Sequence, residues 1–470
     1  MSGTNRRFSR RTFIVGLATA GAYLAACSPS QPATPTPAPT PATTKPAAAP
    51  TQAAPPKAEA KPSVGEVTIE VWPNAHIGGI EAIWGKIARE FESRNPGVKV
   101  KELCIPHNEA EAKILTSIAG NVPLDLVYVH PMWCATFATK STIVDIDSYV
   151  KKDWTAAQLD DFYGGAIAYF NWDRKLWAMP YYSGPNTWYY NKDLLKQAGL
   201  EDPWDLYKKG EWTLQKFAEY AAKLTSGSGQ NKVYGASEVS RTIRVQSVWL
   251  WGHGGDVWSE DMKQTVINSD GACKGWDYLA DLVKKGIAPT RAESAALPGG
   301  EIGAFNSARI AFYYNIRGNV YNFKQGVNYG VAPHHKMPDG KEYNRDGPNA
   351  LGITKLSKHR DSAWEFLKFS VGRGNEIMVE GKASAPVSRS VAKGKVWAEL
   401  MLPWENAEVY DIAAKQVENK VLAHLPGMSE MDKLIQSAYD RIVLGEATSK
   451  QAMSEAKPKV DLVLKEQMAK

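Results

Sequence analysis

The side chains best suited to chemistry in this sequence are its tryptophans and tyrosines. The chain carries 16 Trp and 20 Tyr against 12 Phe, so rings with a polar edge outnumber the purely apolar ring. Such rings suit ligands that combine an apolar C–H face with polar edges, as sugars do, although most of them simply pack a core. The densest group lies in residues 179–193, where Gly184-Pro185 interrupts two aromatic segments. We interpret this stretch as a strand that passes between two packed units, and on its own it is typical of an aromatic-rich core strand.

The sequence patterns of common hydrolases, nucleotide-binding enzymes and metalloenzymes are missing. The chain has no His-Glu-x-x-His, no Gly-x-Ser-x-Gly, no phosphate loop ending in Gly-Lys-Ser/Thr and no Cys-x-x-Cys. His334 and His335 are adjacent, so on a strand they would point to opposite faces; we expect a solvated loop there rather than a shared metal. Asp145 and Asp147 resemble half of a calcium loop without the rest. We therefore predict no enzymatic activity, no metal site and no cofactor.

Alternating strand and helix patterns must position any site. Residues 67–71 alternate as a strand, 80–91 have helical spacing, 98–103 form a second strand, a helix follows, and 124–129 form a buried third strand. This order predicts an α/β fold with parallel strands and right-handed crossovers. Because ligands bind beyond the carboxyl ends of such strands, the segments to inspect are 72–74, 104–107 and 130–133.

The first 64 residues predict an export signal and a tether rather than a folded domain. Arg10 and Arg11 stand in a twin-arginine pattern ahead of an apolar run at 14–26 that is too short to span a bilayer. This signal peptide, residues 1–26, ends in Leu-Ala-Ala before Cys27, which resembles a bacterial lipobox with Cys27 as the lipidated first mature residue. Residues 27–64 are rich in Pro, Ala and Thr, and a disordered tether is expected. We expect the protein to be exported and lipid-anchored on the outer face of the cytoplasmic membrane.

Charge and cysteine content restrict the partners. The net charge is +6, but four of those charges are arginines of the predicted signal, so we predict no nucleic-acid partner. Besides Cys27, the chain contains Cys104, Cys134 and Cys273. An odd number in an exported domain leaves at least one unpaired unless it pairs between chains, and the sequence leaves a Cys104–Cys134 bridge open.

The order of short motifs between residues 65 and 400 resembles the extracellular solute-binding lipoproteins of bacterial ABC importers, in the sugar-binding class that includes maltose-binding proteins. The motifs that carry this resemblance are, in chain order, Asn95-Pro96-Gly97, the strand at 122–127, Tyr189-Tyr190-Asn191-Lys192-Asp193-Leu194, Ala198-Gly199-Leu200, Gly254-Gly255, and the segments 305–311, 330–333 and 363–367.

The resemblance implies a two-lobe periplasmic-binding-protein fold with mixed sheets flanked by helices and a ligand cleft between the lobes. The N-terminal lobe would comprise residues 65–183 and 353–402, and the C-terminal lobe residues 184–352 and 403–470. The chain would cross between lobes near 183–185, 350–353 and 400–406. Such a protein catalyses no reaction. It closes on its solute and then releases the solute unaltered.

The resemblance also implies the ligand-binding residues, which lie at turns after the strands. They are Trp72, Asn74, His130, Trp133, Ser183, Asn186, Arg244, Gln246, Trp249, Asn315, Arg317 and Asn349. Amides and guanidinium groups make paired hydrogen bonds to sugar hydroxyls, and Trp72 and Trp133 are the candidate rings for stacking. Better-known sugar binders of this class place acidic residues near the cleft, whereas corresponding positions here are Gly184, Met132 and Thr242.

We therefore expect a monomeric, membrane-tethered protein that captures a carbohydrate and delivers it to the permease subunits of an ABC transporter. One alternative is an exported enzyme acting on polysaccharide, but the sequence does not place the pair of carboxylates that it needs. The other is the same fold with a peptide, polyamine or metal ligand. A polyamine would require several acids in the cleft, and ferric iron would require clustered tyrosines such as Tyr189-Tyr190 and Tyr313-Tyr314.

Overall fold

A computed structural model describes residues 66–75, 78–237, 242–401 and 406–469, which belong to one compact unit. The predicted signal, Cys27 and the tether lie outside the described residues. The strands are β1 (Val67–Trp72), β2 (Asn74–Ala75), β3 (Val98–Glu102), β4 (Ile105–Pro106), β5 (Leu126–Val129), β6 (Asn171–Trp172), β7 (Lys175–Leu176), β8 (Met179–Tyr182), β9 (Asn186–Asn191), β10 (Tyr234–Ala236), β11 (Ile310–Ile316), β12 (Tyr329–Ala332) and β13 (Asn349–Ile353).

Helices account for most of the remaining described chain. They are α1 (Ile80–Arg94), α2 (His107–Ala119), α3 (Pro131–Thr139), α4 (Asp147–Asp153), α5 (Ala156–Asp160), α6 (Gly164–Ala168), α7 (Lys192–Gln197), α8 (Pro203–Lys208), α9 (Leu214–Leu224), α10 (Ile243–Gly252), α11 (Asp270–Lys284), α12 (Arg291–Ala296), α13 (Gly300–Asn306), α14 (Arg360–Val371), α15 (Arg373–Glu380), α16 (Arg389–Ala392), α17 (Lys395–Leu400), α18 (Ala407–Glu418), α19 (Met428–Val443) and α20 (Ser449–Met468). Two 3-10 turns cover Gly229–Asn231 and Arg317–Asn322. Within this described part, no helix combines the length and apolar character that crossing a membrane requires.

The first sheet has five strands in the order β3-β1-β5-β13-β8. Strand β1 runs parallel to both β3 and β5, so the predicted parallel arrangement is confirmed for these strands. Strand β13 lies antiparallel between β5 and β8, which makes the sheet mixed. Because β1 and β5 are parallel, their carboxyl ends lie at the same edge of the sheet, and the segments that follow them come together there.

The second sheet has four strands in the order β10-β11-β9-β12, with β9 antiparallel to both of its neighbours. Side chains alternate along β9, so Trp188 and Tyr190 join one apolar cluster and Tyr189 joins another. All three are at most 2% exposed. The interpretation of this stretch as an aromatic-rich core strand is therefore confirmed, and its rings are occupied by packing.

The chain passes between the two sheets at Ser183–Pro185, which joins β8 to β9. A second segment, residues 345–347, runs antiparallel beside it on the way back to β13. The Asn186 N–H donates to the Arg345 carbonyl at 3.1 Å, and the Gly347 N–H donates to the Gly184 carbonyl at 3.0 Å. We call these paired segments the crossing ribbon. Residues 350–353 lie inside β13 of the first sheet, after the ribbon; the exact lobe boundaries stay a prediction.

The expectation of a solvated loop at His334 and His335 is wrong. Both residues are fully buried, and their ring centroids lie 4.1 Å apart among Trp188, Trp249 and Phe217. The chain leaves β12 at Ala332, so strand geometry no longer sends the two side chains to opposite faces. The rings instead complete an aromatic cluster beneath β9.

The cysteines that the sequence left open are unpaired. Cys104, Cys134 and Cys273 are all free thiols, and burial raises the pKa of the Cys104 thiol to about 12. None of these three cysteines therefore contributes a disulfide cross-link to the described fold.

Close packing of α9 on β10 makes Gly235 a test of the fold. A methyl group at Gly235 would lie 1.9 Å from the Ala221 carbonyl oxygen, so backbone would have to move. We expect Gly235→Ala to lower the free energy of unfolding by about 1–3 kcal/mol in urea titrations. Gly78→Ala is the matched control, because nothing lies within 4 Å of its added methyl. Equal stability of the two variants would contradict this packing.

Candidate functional site

A cleft of about 430 Å³ lies between the two sheets, at the edge where β1 and β5 end. One wall comes from the segments that follow β1, β4 and β5, and the other from α10, the end of β11 and the crossing ribbon. The lining residues are Asn74, Ala75, Pro106, His107, Asn108, Tyr128, His130, Tyr182, Arg244, Ile316, Asn319, Arg345, Gly347 and Asn349. Four amides, two imidazoles and two guanidinium groups therefore face one space.

An exposed imidazole backed by buried rings forms one wall of the cleft. His107 begins α2 and is solvent-exposed, and its ring stacks on buried Trp133 with centroids 5.2 Å apart and planes inclined by 14°. Its Nδ1 lies 3.2 Å from the Tyr128 hydroxyl, which donates in turn to the Asn349 side-chain oxygen at 3.0 Å. These contacts fix the His107 ring, so that one face can meet a ligand while Trp133 supports the other.

Arg244 connects the two sides of the cleft. It is 6% exposed in α10 and donates from Nη1 to His130 Nε2 at 2.7 Å and from Nη2 to the Asp346 carbonyl at 2.7 Å. Because an arginine can only donate, His130 Nε2 is the acceptor of this bond. Burial and the positive charge of Arg345 lower the pKa of Arg244 to about 10. The guanidinium remains charged at neutral pH in a site with a second cation nearby.

Asp346 is the buried acid of the crossing ribbon. Its carboxylate accepts from the Ser183 hydroxyl at 2.9 Å and from the Gly184 N–H at 2.7 Å. Burial raises the pKa of this carboxyl, while these two donors, the Gly347 N–H and the charge of Arg244 oppose that rise. The carboxylate is thus committed to backbone and hydroxyl partners in the ribbon, and it does not line the cleft.

Of the twelve sequence-predicted ligand residues, four line the cleft together: Asn74, His130, Arg244 and Asn349. The Asn74 side-chain oxygen is buried without a protein partner, which suits a ligand donor. His130 and Arg244 bond each other, and Asn349 accepts from Tyr128. Asn74 and His130 lie in segments that the strand-end argument marked, whereas Arg244 and Asn349 were implied by the family resemblance.

The other eight predicted residues lie behind the cleft or outside its lining. Trp72 and Trp133 are at most 8% exposed, with Lys113 over the Trp72 ring, so both tryptophans are packed rather than open for stacking. The remaining six are Ser183 and Asn186 in and beside the crossing ribbon, Gln246 and Trp249 in the buried face of α10, and Asn315 and Arg317 at the end of β11, all buried. Gln246 exchanges two hydrogen bonds with Gln436 of α19, at 2.7 and 3.2 Å, which commits its amide to packing helices.

Sequence reasoning missed several lining residues. His107 lies in a segment, 104–107, that the strand-end argument had marked, and its neighbour Asn108 continues the same turn. Arg345 precedes β13 by four residues in an irregular segment, so no strand or helix pattern pointed to it. Asn319 belongs to a 3-10 turn that the sequence pattern did not predict.

The chemistry available in the cleft is hydrogen bonding and charge. In the part of the chain that the structure describes, no Asp or Glu side chain lines the cleft. Among the described residues, no group of three or more His, Cys, Asp or Glu side chains is arranged to hold a metal ion. The arrangement can bind a polar ligand through amides, guanidinium groups and the face of His107.

Comparison with known proteins places this geometry in context. The sequence model of the family described as bacterial extracellular solute-binding protein matches residues 76–377, nearly two thirds of the chain. A curated relative, the galactooligosaccharide-binding protein of Bacillus subtilis, is 23% identical over 378 residues, which cover 76% of this chain and 81% of the relative.

Solved structures share the fold. The sugar-binding protein MalE from Xanthomonas citri superposes with a TM-score of 0.72 at 21% identity, covering 86% of this chain and 98% of the other. An ABC substrate-binding protein from Listeria monocytogenes, solved in complex with cycloalternan, gives a TM-score of 0.71 at 22% identity, covering 84% and 98%. The predicted two-lobe fold is thereby confirmed.

Four buried histidines make stability depend on pH. Burial lowers the pKa values of His130, His334, His335 and His424, so the unfolded chain binds protons below about pH 6.5 that the folded chain does not. We expect the free energy of unfolding to fall from pH 7.5 to 5.5, by up to about 1.4 kcal/mol per pH unit for each histidine below that value.

Urea titrations at pH 7.5, 6.5 and 5.5 measure this slope. Burial also raises the pKa values of Asp346, Asp432 and Glu111, which acts in the opposite sense, but these are three carboxyl groups against four histidines. Substitution of exposed His359 by Gln should leave the slope unchanged. A stability that stays flat or rises on acidification would contradict the prediction.

Proposed function

Because the chain belongs to the bacterial extracellular solute-binding proteins, we propose that it captures a sugar or oligosaccharide in the cleft and delivers it to the permease of an ABC transporter. The observation that carries this proposal is the convergence of four amides, His107 and Arg244 on one space between two sheets. The names of relatives that bind galactooligosaccharide or cycloalternan support the same ligand class.

The amides suit a polyhydroxylated ligand. Asn74, Asn108, Asn319 and Asn349 each offer a carbonyl oxygen and an NH₂ group, so each can accept from one hydroxyl and donate to another. The exposed face of the His107 ring supplies a platform for the C–H face of a sugar, held in place by Trp133. Directional polar groups beside a ring are the usual composition of such a pocket.

Closure on the ligand follows from where these residues lie. Asn74, Asn108 and His107 extend from the first lobe, whereas Asn319 and Arg244 extend from the second. A ligand that contacts both sets favours the state in which the lobes are close, in proportion to its additional contacts there. The crossing ribbon, whose few residues connect the lobes, is where the backbone would bend.

The lining favours binding over the alternative functions. A glycosidase needs two carboxyl groups across the bond that it cleaves, and a polyamine site needs several acids. Among the residues that the structure describes, neither Asp nor Glu lines this cleft, and the acid of the ribbon, Asp346, is bonded to Ser183 and Gly184. We propose a monomeric binding protein without catalytic activity.

Attachment to the membrane is part of the proposal. The twin-arginine pattern and the Leu-Ala-Ala-Cys sequence around Cys27 support export followed by lipidation. The Pro-rich residues 28–64 would let the binding domain reach the permease while anchored.

Oligosaccharides are expected to raise the melting temperature, because a ligand that binds only the folded state stabilises it by mass action. Asn108→Ala should weaken the affinity measured by calorimetry about 2- to 10-fold, the effect of one hydrogen bond. Asn231→Ala changes an equally exposed asparagine in a 3-10 turn outside the cleft lining and should leave affinity unchanged. If peptides or polyamines stabilise the protein and no carbohydrate does, the ligand class is wrong.

Removal of the predicted lipidation site is expected to release the protein. Cys27→Ser, expressed in a bacterial host, should shift the chain from the membrane fraction to the soluble fraction on immunoblots. Cys104→Ser should remain membrane-bound, since that thiol lies within the folded domain. Retention of Cys27→Ser in the membrane fraction would contradict lipid anchoring through this residue.

A further inference from the structure

The cleft carries positive charge that no acidic side chain of its lining balances. Arg244 and Arg345 line it, and among the described residues neither forms an ion pair with Asp or Glu. Other arginines of this chain do find acids: Arg373 bonds Glu90, Glu376 and Glu380. Within the described chain, the two arginines of the cleft lack the acidic partners that Arg373 has.

Both guanidinium groups retain unused hydrogen-bond donors. Arg244 commits one N–H to His130 and one to the Asp346 carbonyl, which leaves three of its five donors. Its Nε and that of Arg345 are buried without a protein partner. Because buried donors without partners cost free energy, a ligand that accepts from these two Nε groups would offset that cost.

Among the described residues, two acids, Asp346 and Asp432, interact electrostatically with Arg244 but are bonded to other partners. The Asp346 carboxylate accepts from Ser183 and Gly184, and only its backbone carbonyl meets Arg244. Asp432 accepts from the Ile243 N–H and from Gln436. Both carboxylates reduce the positive electrostatic potential around Arg244. Neither lines the cleft, and neither accepts from the free guanidinium donors.

Resting on the function proposed above, we propose that the ligand is an anionic carbohydrate, whose carboxylate or phosphate is held by Arg244 and Arg345. Guanidinium groups match the planar or tetrahedral oxygens of such anions with paired, charge-assisted hydrogen bonds. An anion between the two arginines also removes their mutual repulsion. The amides of Asn108, Asn319 and Asn349 then remain for the neutral hydroxyls of the same ligand.

Calorimetry on the full chain with matched ligand pairs tests this inference. The carboxylate pair is digalacturonate and neutral galactobiose, and the phosphate pair is glucose 6-phosphate and glucose. We expect the anionic member of one pair to bind at least about tenfold more tightly, the gain of one charged hydrogen bond. Its affinity should fall as NaCl rises from 50 to 500 mM, whereas binding of a neutral sugar should not.

Variants assign the effect to the cleft. Arg345→Gln should weaken binding of the anion roughly 10- to 100-fold and binding of the neutral partner much less. Arg345→Lys keeps the charge and should lose less. Arg360→Gln, at an exposed arginine outside the lining, is the matched control. Arg345 is preferred to Arg244 for substitution because Arg244 also holds His130, so its loss could disturb folding.

The outcomes separate the two proposals. Preference for digalacturonate supports a carboxylate ligand, and preference for glucose 6-phosphate supports a phosphate ligand. Equal or tighter binding of the neutral sugars, with no effect of Arg345→Gln or salt, overturns the anionic ligand and leaves sugar capture standing. Failure of every carbohydrate, neutral or anionic, overturns the proposed function and this inference together.

Discussion

The arrangement of the two lobes depends on one buried carboxylate. Asp346 bonds Ser183 and Gly184, so a single side chain joins the two antiparallel segments of the crossing ribbon. Its backbone carbonyl, on the opposite side of the same residue, accepts from Arg244 of the cleft wall. The Asp346 side chain therefore sets the geometry of the ribbon, and the carbonyl of the same residue sets the position of Arg244 in the cleft wall.

This coupling explains why an acid lies so near the site without lining it. A carboxylate buried away from water is unfavourable unless donors surround it, and here a hydroxyl and two backbone N–H groups do so. The space is tight, since a methyl group on Gly184 would lie 3.0 Å from the Ile316 side chain. The acid therefore serves the ribbon, and the cleft keeps the excess of guanidinium groups that determines which ligands it favours.

Much of the architecture could be predicted from local patterns. Residues 67–71, 98–103 and 124–129 alternate or are uniformly apolar, and the strands form there in the expected parallel arrangement. The turn at Trp172 to Lys175 is a hairpin, with Asp173 and Arg174 at φ values of 48° and 60° that match a tight two-residue turn. The alternating patterns reflect burial of one face of a strand, and the uniformly apolar pattern of 124–129 reflects burial of both faces.

The site was harder to predict, for physical reasons that differ between residues. Trp72 and Trp133 follow the right strands, but their large apolar surface is more stable behind the cleft wall than in it. Arg345 lies in irregular chain, where no periodicity exists to be detected. The His334-His335 pair shows the same limit, because strand alternation does not apply once the chain has left β12.

The position of β13 has a consequence for how this chain can fold. Strand β13 pairs with β5 on one side and β8 on the other, although it lies more than two hundred residues after β5 in the sequence. During synthesis, one edge of β5 and one edge of β8 remain unpaired until β9 to β12, the strands of the second sheet, and then β13 have been synthesised. Exposed edges invite pairing with other chains, and long-range pairing slows folding. The first sheet is thus completed only after the strands of the second sheet have been synthesised, so its maturation is a late event governed by residues 349–353.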